Sequence, residues 1–410
     1  MADEQPRILI VGGGFGGLFT ALQLGGTNAE ITLISREDHF LFAPMLYEYL
    51  SGEVEAWQIA PRYKELLNDG VRFIRGEITY IDMEKREAAI AGRVRRAAYD
   101  VLVLACGGVA SFAGVEGAAE HALAFRTISD ADALRNRMIK ALDRIAPDTP
   151  PQDAARMATF VVVGAGASGV ETATKMADLL RVAFQQRGLR GQPRVLILEM
   201  TDHVVPGMDD DLRRHVEDAL RSKQVEVHTQ TRVRRVMANG LTFEQSGRQT
   251  ELESAAVVWT GGVRVNPLIE KLNLEKDKRG LLVIEETLQA RGHENIFALG
   301  DIAHYTNADA SIAGTAQLAN QEASLAANNI KAYLAGKPLQ TKHFAELGSA
   351  VSLGTQDAAF QVGGQIVVGT LGRDARFTAY TARLPTWNHR LKVGASWFFE
   401  GTKPRPLGLR

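Results

Sequence analysis

Two glycine-rich turns, about 150 residues apart, are the parts of this sequence best suited to chemistry. Gly12-Gly13-Gly14-Phe15-Gly16-Gly17 follows the apolar run Ile8–Val11, and Gly164-Ala165-Gly166-Ala167-Ser168-Gly169 follows Phe160–Val163. Each fits G-x-G-x-x-G, the turn that brings a backbone and a helix N-terminus up to a pyrophosphate. In the first, Gly12 permits the bend, Gly14 admits the phosphate and Gly17 lets helix and strand close up; Gly164, Gly166 and Gly169 repeat the set. Two such turns suggest two dinucleotides and electron transfer between them. An acid at the end of the following strand binds a ribose. After the second turn that acid is Glu199, with Met200-Thr201-Asp202 and no arginine next, a pattern favouring NADH over NADPH. After the first turn the position is Ser35, followed by Arg36, and the expected acid is absent. Asp301 closes the apolar run Ile296–Leu299 after Gly300, a carboxylate suited to a flavin's ribityl chain.

The elements that must hold these groups recur in order. Strand, turn, helix and strand over 7–34 are echoed over 159–199, and Val103-Leu104-Ala105-Cys106-Gly107-Gly108 is echoed by Val257-Val258-Trp259-Thr260-Gly261-Gly262. The expected fold is α/β: two Rossmann-like dinucleotide-binding domains plus a smaller, strand-rich C-terminal region. The polar break Pro147–Asp153 is the best linker candidate. The domains are then 1–150 with 285–345 for FAD, 151–284 for NAD(P)H, and 346–410 for membrane association or an interface.

Composition narrows the function. The single cysteine, Cys106, excludes an internal disulfide, a multi-cysteine metal or Fe–S site and flavin chemistry on a cysteine pair; no metal is expected. Cys106 sits in an apolar run and reads as an inert core residue. The net charge of −1 gives no field for nucleic acid. The acidic start Met1–Arg7 lacks the basic and apolar regions of a signal peptide, so the chain is not expected to be secreted, and no apolar run is long enough to span a bilayer.

Three segments resemble the type II NAD(P)H dehydrogenases, the non-pumping NAD(P)H:quinone oxidoreductases of the two-dinucleotide flavoprotein superfamily. They are His39–Glu48 continuing to Val54, Gly166–Glu171, and Ala316-Gln317-Leu318-Ala319-Asn320-Gln321-Glu322, which fits the family's A-Q-x-A-x-Q pattern. The likeness covers residues 7–335. Pro44–Val54, Arg383–Thr386 and His389–Gly394 look most like the cyanobacterial and plastid branch that reduces demethylphylloquinone and related naphthoquinones or plastoquinone. Ser35 departs from the family, as does the C-terminus, which ends sooner than relatives carrying a long amphipathic helical pair.

The resemblance implies that Gly12, Gly14, Gly17 and Asp301 hold FAD and that Gly164, Gly166, Gly169 and Glu199 hold NAD(P)H. It extends the cofactor contacts to Phe15, Ser35, Arg36, Pro44, Gly107, Gly261, Gly262, Gly300, Ala316 and Gln317. Hydride would pass from nicotinamide to flavin, and two electrons from flavin to a quinone. Gln317 and Gln321, four apart on one helix face, would orient the quinone. Glu171, just inside the second helix, would reach the nicotinamide–flavin stack to tune it or relay a proton.

A prenylated quinone implies a membrane. Tyr380, Trp387, Trp397, Phe398 and Phe399 with Arg383, Arg390, Lys392, Lys403 and Arg405 suit an anionic lipid surface. The expected location is peripheral, on the cytoplasmic face of a membrane, with a homodimer left open. Two rival readings share the glycine turns: an NAD(P)H-dependent reductase of a small electron-carrier protein, and a redox-sensing or assembly protein that turns over poorly.

Overall fold

The structure is a computed structural model that describes residues 5–305, 315–344 and 347–408; the acidic residues Met1–Glu4 lie outside the described residues. Two five-stranded parallel sheets carry the two glycine turns. The first runs Ile296–Ala298, Val101–Leu104, Arg7–Val11, Glu30–Ser35, Val71–Arg75. The second runs Leu123–Ala124, Ala256–Trp259, Thr159–Val163, Arg194–Leu198, Val225–His228. In each, the strand before the glycine turn is central. It pairs with the strand that ends in Ser35 or precedes Glu199 on one side, and with the echoed apolar run on the other. Ile8–Val11 and Phe160–Val163 are buried throughout, as strands covered on both faces must be.

The first sheet takes its edge strand, Ile296–Ala298, from far along the chain, through pairing with Val101–Leu104. The second sheet begins earlier than residue 151, because Leu123–Ala124 pairs with Val258–Trp259 and the helix Ile128–Leu142 packs beside it. Elements on both sides of the polar break Pro147–Asp153 therefore contribute to the second sheet. The crossings between domains are Gly108–Ala110 and Val263–Val265, which pair antiparallel.

The C-terminal region corrects the strand-rich expectation. Ser349–Ser352, Ala358–Val362 and Gln365–Val367 form an antiparallel meander, but Gly369–Thr381 and Trp387–Glu400 are helices. Phe377, Tyr380 and Leu384 recur at helical spacing and are buried. Glycines at 369, 372 and 394 disguise that period. Gly372 is required by packing: a Cβ there would meet the carbonyl oxygens of Ala358 at 2.3 Å and Val367 at 2.5 Å.

A buried ionic seam joins the three parts. Glu48, from the short helix Leu46–Ser51, accepts from Arg376 Nη1 at 2.7 Å and lies 3.2 Å from Lys175 Nζ. Lys175 also pairs with Glu53, which lies 3.2 Å from Arg373. Arg376 Nη2 reaches Glu171 at 3.0 Å and the Pro44 carbonyl at 2.7 Å. Glu171 and Lys175 are one turn apart on the helix Ala167–Gln186, so they share a face. Removing one member of such a set leaves its partner charged and out of water, which costs ~3–5 kcal/mol.

Candidate active site

The two glycine turns have the same geometry. Gly12 and Gly164 have φ of +104° and +101°, a region closed to side chains, and donate to Ile34 and Leu198 carbonyls at 2.8 and 2.9 Å. A Cβ on Gly17 would lie 1.8 Å from the Gly12 oxygen, and one on Gly169 would lie 1.9 Å from the Gly164 oxygen. These glycines set the helix-to-strand distance. A Cβ on Gly14 or Gly166 would meet nothing within 4 Å. The space above both is open, at the N-termini of the helices Phe15–Leu24 and Ala167–Gln186, whose free N–H groups suit phosphate oxygens. The residues present fit two dinucleotides.

Around the first turn, Gly12, Gly14, Ser35, Arg36, Cys106 and Gly107 line one cavity of about 200 Å³. Glu37 lines it as well, so the acid missing from position 35 stands two residues further on, past the strand end. Tyr63, also unread in the sequence, donates its hydroxyl to the Gly13 carbonyl at 2.7 Å and pins the turn. Burial pushes the Cys106 thiol up to about 12, which keeps it protonated and unreactive.

Asp301 comes to the other side of Gly107, with Oδ2 4.0 Å from where a Gly107 Cβ would stand. Burial raises its carboxyl, against the opposing pull of Arg126. Glu322 holds the Gly300–Asp301 turn: it accepts from Gly300 N at 2.7 Å and the Tyr305 hydroxyl at 2.6 Å, and is buried.

Around the second turn, Gly164, Gly166, Glu199, Gly261 and Gly262 line a cavity of about 740 Å³ with Trp259. Glu199 is turned toward its own loop and accepts from Ala165 N at 2.6 Å and Thr201 N at 2.8 Å.

A third cavity, about 190 Å³, lies between the first domain and the C-terminal region. Phe15, Pro44, Ala316, Gln317, Tyr380 and Arg383 line it. Phe15, the residue after Gly14, spans from the glycine turn to this wall, packed on Phe40 and Phe42. Mostly apolar walls with the amides of Gln317 and Asn320 and the guanidinium of Arg383 suit a flat ring bearing carbonyls. Gln321 shares Gln317's helix face but does not line this cavity.

Glu171 is not in the nicotinamide-side cavity, nor is it an exposed first-turn acid. It is buried in the ionic seam, accepting from Ser352 N at 2.9 Å. Arg376 links it to the third cavity, since that guanidinium binds the Pro44 carbonyl and lies 4.7 Å from the Tyr380 ring centre. Burial pushes the Glu171 carboxyl up to about 7, more than Arg376 lowers it.

The profile of the pyridine nucleotide-disulphide oxidoreductase family matches residues 6–323. Demethylphylloquinone reductase NdbB of Synechocystis is 36% identical over 419 residues, covering 100% of this chain and 98% of that protein. The type II NADH:quinone oxidoreductase Ndh of Mycobacterium tuberculosis is 33% identical over 376 residues, covering 88% of this chain and 80% of that protein. The solved structure of NDH2 from Plasmodium falciparum in complex with NADH superposes with a TM-score of 0.86 at 17% identity, over 99% of this chain and 100% of that one. The fold extends over the C-terminal helices.

The two classes of glycine separate by substitution. Gly166→Ala is expected to fold with an unchanged melting temperature and to bind the reduced dinucleotide about tenfold more weakly, a loss of ~1.4 kcal/mol. Gly17→Ala is expected to lose flavin and to melt earlier. Calorimetric titration and flavin absorbance check both; equal effects from the two would contradict the division.

Proposed function

The chain belongs to the pyridine nucleotide-disulphide oxidoreductase family, within its type II NAD(P)H:quinone oxidoreductases, and we infer that it is an FAD-dependent NAD(P)H:quinone oxidoreductase of the demethylphylloquinone-reducing kind. The observation that carries this reading is the third cavity, which the family's A-Q-x-A-x-Q helix and the Pro44 segment line together. Bound FAD supplies a two-electron carrier between the reduced dinucleotide and the quinone.

The residues divide the rest of the task. Gly12, Gly14 and Gly17 with Tyr63 shape the seat of the flavin's pyrophosphate, Ser35, Arg36 and Glu37 take its adenosine end, and Gly107, Gly300 and Asp301 take its ribityl chain. Gly164, Gly166, Gly169 and Glu199 seat the reduced dinucleotide against Gly261 and Gly262. Pro44, Phe15 and Ala316 form the apolar wall at the quinone, and the Gln317 amide donates to a quinone carbonyl. Gln321, one turn behind, supports Gln317. Glu171 holds a proton near neutral pH behind the Pro44–Tyr380 wall, where the reduced quinone needs two. Reduction of a small carrier protein gains nothing from a mostly apolar cavity of this size.

A lipid-soluble quinone favours an enzyme that works at a lipid surface. No helix among the described residues is long and apolar enough to cross a membrane. Trp387, Leu391 and Phe398 are 70%, 56% and 83% exposed. At 100° per residue they fall within about 40° of one another on the helix Trp387–Glu400. His389 and Val393, on the far side, are buried. This apolar stripe, with Arg390 beside it, suits peripheral insertion on the cytoplasmic face, where reduced dinucleotides are available.

Stopped-flow reoxidation of the reduced enzyme by a naphthoquinone is expected to slow about tenfold or more in Gln317→Leu, an amide-to-quinone bond being worth ~1–2 kcal/mol; an unchanged rate removes Gln317 from the site. In the same assay the wild-type rate is expected to fall as pH rises through about 7, where Glu171 loses its proton, and Glu171→Gln is expected to abolish that step. A step that survives the substitution belongs to another group. The holoenzyme is expected to co-sediment with anionic liposomes, and Trp387→Ser with Phe398→Ser to release it. A protein that stays in the supernatant and sediments as a dimer assigns the stripe to a second copy.

A further inference from the structure

We propose that a cationic cavity at the N-terminal end of the second sheet binds a small soluble polyphosphate, at a site separate from the seat of either dinucleotide. The second glycine turn opens at the other end: Gly164, Glu199 and Gly261 lie just past the C-terminal ends of the strands Thr159–Val163, Arg194–Leu198 and Ala256–Trp259. That is where an open parallel sheet takes its dinucleotide. Arg156 and Met157 precede the first of these strands, and Ser254 and Ala255 precede the last. The cavity they line is therefore about one strand length away, ~13 Å at about 3.3 Å per residue.

The cavity has a volume of about 510 Å³. Four cations line it, Arg137, Lys140, Arg144 and Arg156, against one carboxylate, Glu253. Arg156 takes that carboxylate at 2.8 Å. The other three are exposed and form no ion pair or side-chain hydrogen bond among the described residues. Arg137 and Lys140 are three apart on the helix Ile128–Leu142, and Arg144 stands four further on, in the turn that follows it. A single cation near a helix C-terminus is favoured by the dipole. Three in succession, each one turn from the next, repel one another. An anion with several closely spaced charges relieves that repulsion; a lone carboxylate leaves most of it in place.

The lining also holds an unused hydroxyl. Ser254 is 7% exposed, and its Oγ is buried with no hydrogen-bond partner among the described residues, whereas buried hydroxyls are paired as a rule. Its backbone is fixed: Ser254 N donates to the Asn239 carbonyl at 3.0 Å and Ala255 N to the Thr159 carbonyl at 2.8 Å. Asn239, exposed at the same cavity, adds an amide. Guanidinium and ammonium groups with a hydroxyl and an amide are a donor set for phosphate oxygens. A cavity of this volume takes a small molecule, so a di- or triphosphate fits it and a long polyanion does not.

The test is calorimetric titration of the FAD-loaded full chain with inorganic triphosphate, with NAD⁺ saturating so that the dinucleotide cavity is filled. Saturable binding at one site per chain is expected, about tenfold or more tighter than for sulfate. Arg137→Gln with Lys140→Gln is expected to weaken triphosphate about tenfold. The same variant is expected to keep its melting temperature and its anaerobic flavin bleaching by NADH. Its co-sedimentation with anionic liposomes is also expected to match wild type, which separates a soluble phosphate from a lipid headgroup. No saturable binding, an affinity no better than for sulfate, or equal affinity in wild type and variant overturns the site. Binding that appears only without NAD⁺ also overturns it, by placing triphosphate in the dinucleotide cavity. A variant that loses liposomes but not triphosphate assigns these cations to lipid and overturns it too.

Discussion

Six charged side chains, five of them almost wholly out of reach of water, fix how the parts of this molecule meet. Glu48, Glu53 and Glu171 face Lys175, Arg373 and Arg376 in one seam. They come from the first domain, the second domain's long helix and the penultimate helix. No apolar surface would specify that junction so narrowly, because a shifted helix would strand a charge where no solvent can repay it. Burial alone would push the Glu48 carboxyl up; Arg376 and Lys175 outweigh it and bring the group down to about 2. At Glu171 the balance tips the other way. One member of the seam is thus a fixed anion and another a proton holder, although both share the same arginine.

What could be read along the chain was whatever depends on near neighbours. The glycine turns are local geometry: a bend, an open approach and a close contact within six residues, so sequence and structure agree on Gly12, Gly14 and Gly17 and on Gly164, Gly166 and Gly169. Glu37 was missed because the expected position counts to the strand's end, and this acid stands two residues past it. Tyr63 and Glu322 were missed for a different reason. Each acts on a backbone atom of a distant turn, and neither residue type announces that role. The C-terminal helices were hidden by glycines that lower helix propensity by about 1 kcal/mol each, a cost that tertiary packing overrides. At Gly372 the neighbouring carbonyls leave room for nothing larger.

The seam was wholly illegible. Its partners stand as far apart as Glu48 and Arg376, and apart from Glu171, which the family resemblance put at the nicotinamide–flavin stack, each residue alone reads as an ordinary surface charge. Charged side chains are almost never fully buried unless paired, so the prior for each was exposure. Only the fold reveals that they are buried together.

The helix Ala167–Gln186 explains why these demands can coexist. At 100° per residue, Gly169 and Glu171 point about 200° apart, while Glu171 and Lys175 fall within about 40°. The glycine face can therefore press on the Gly164 carbonyl and open the turn to a dinucleotide, while the opposite face carries charge into the seam. From there Arg376 extends to the Pro44 carbonyl and the Tyr380 ring, both on the wall of the cavity that holds Gln317. One element thus reaches at its tip the cavity of the second glycine turn and at its flank, through Arg376, the wall of the cavity that Gln317 lines. With a single, half-buried cysteine whose thiol is held protonated, the chain offers no cysteine pair for a sulfur relay.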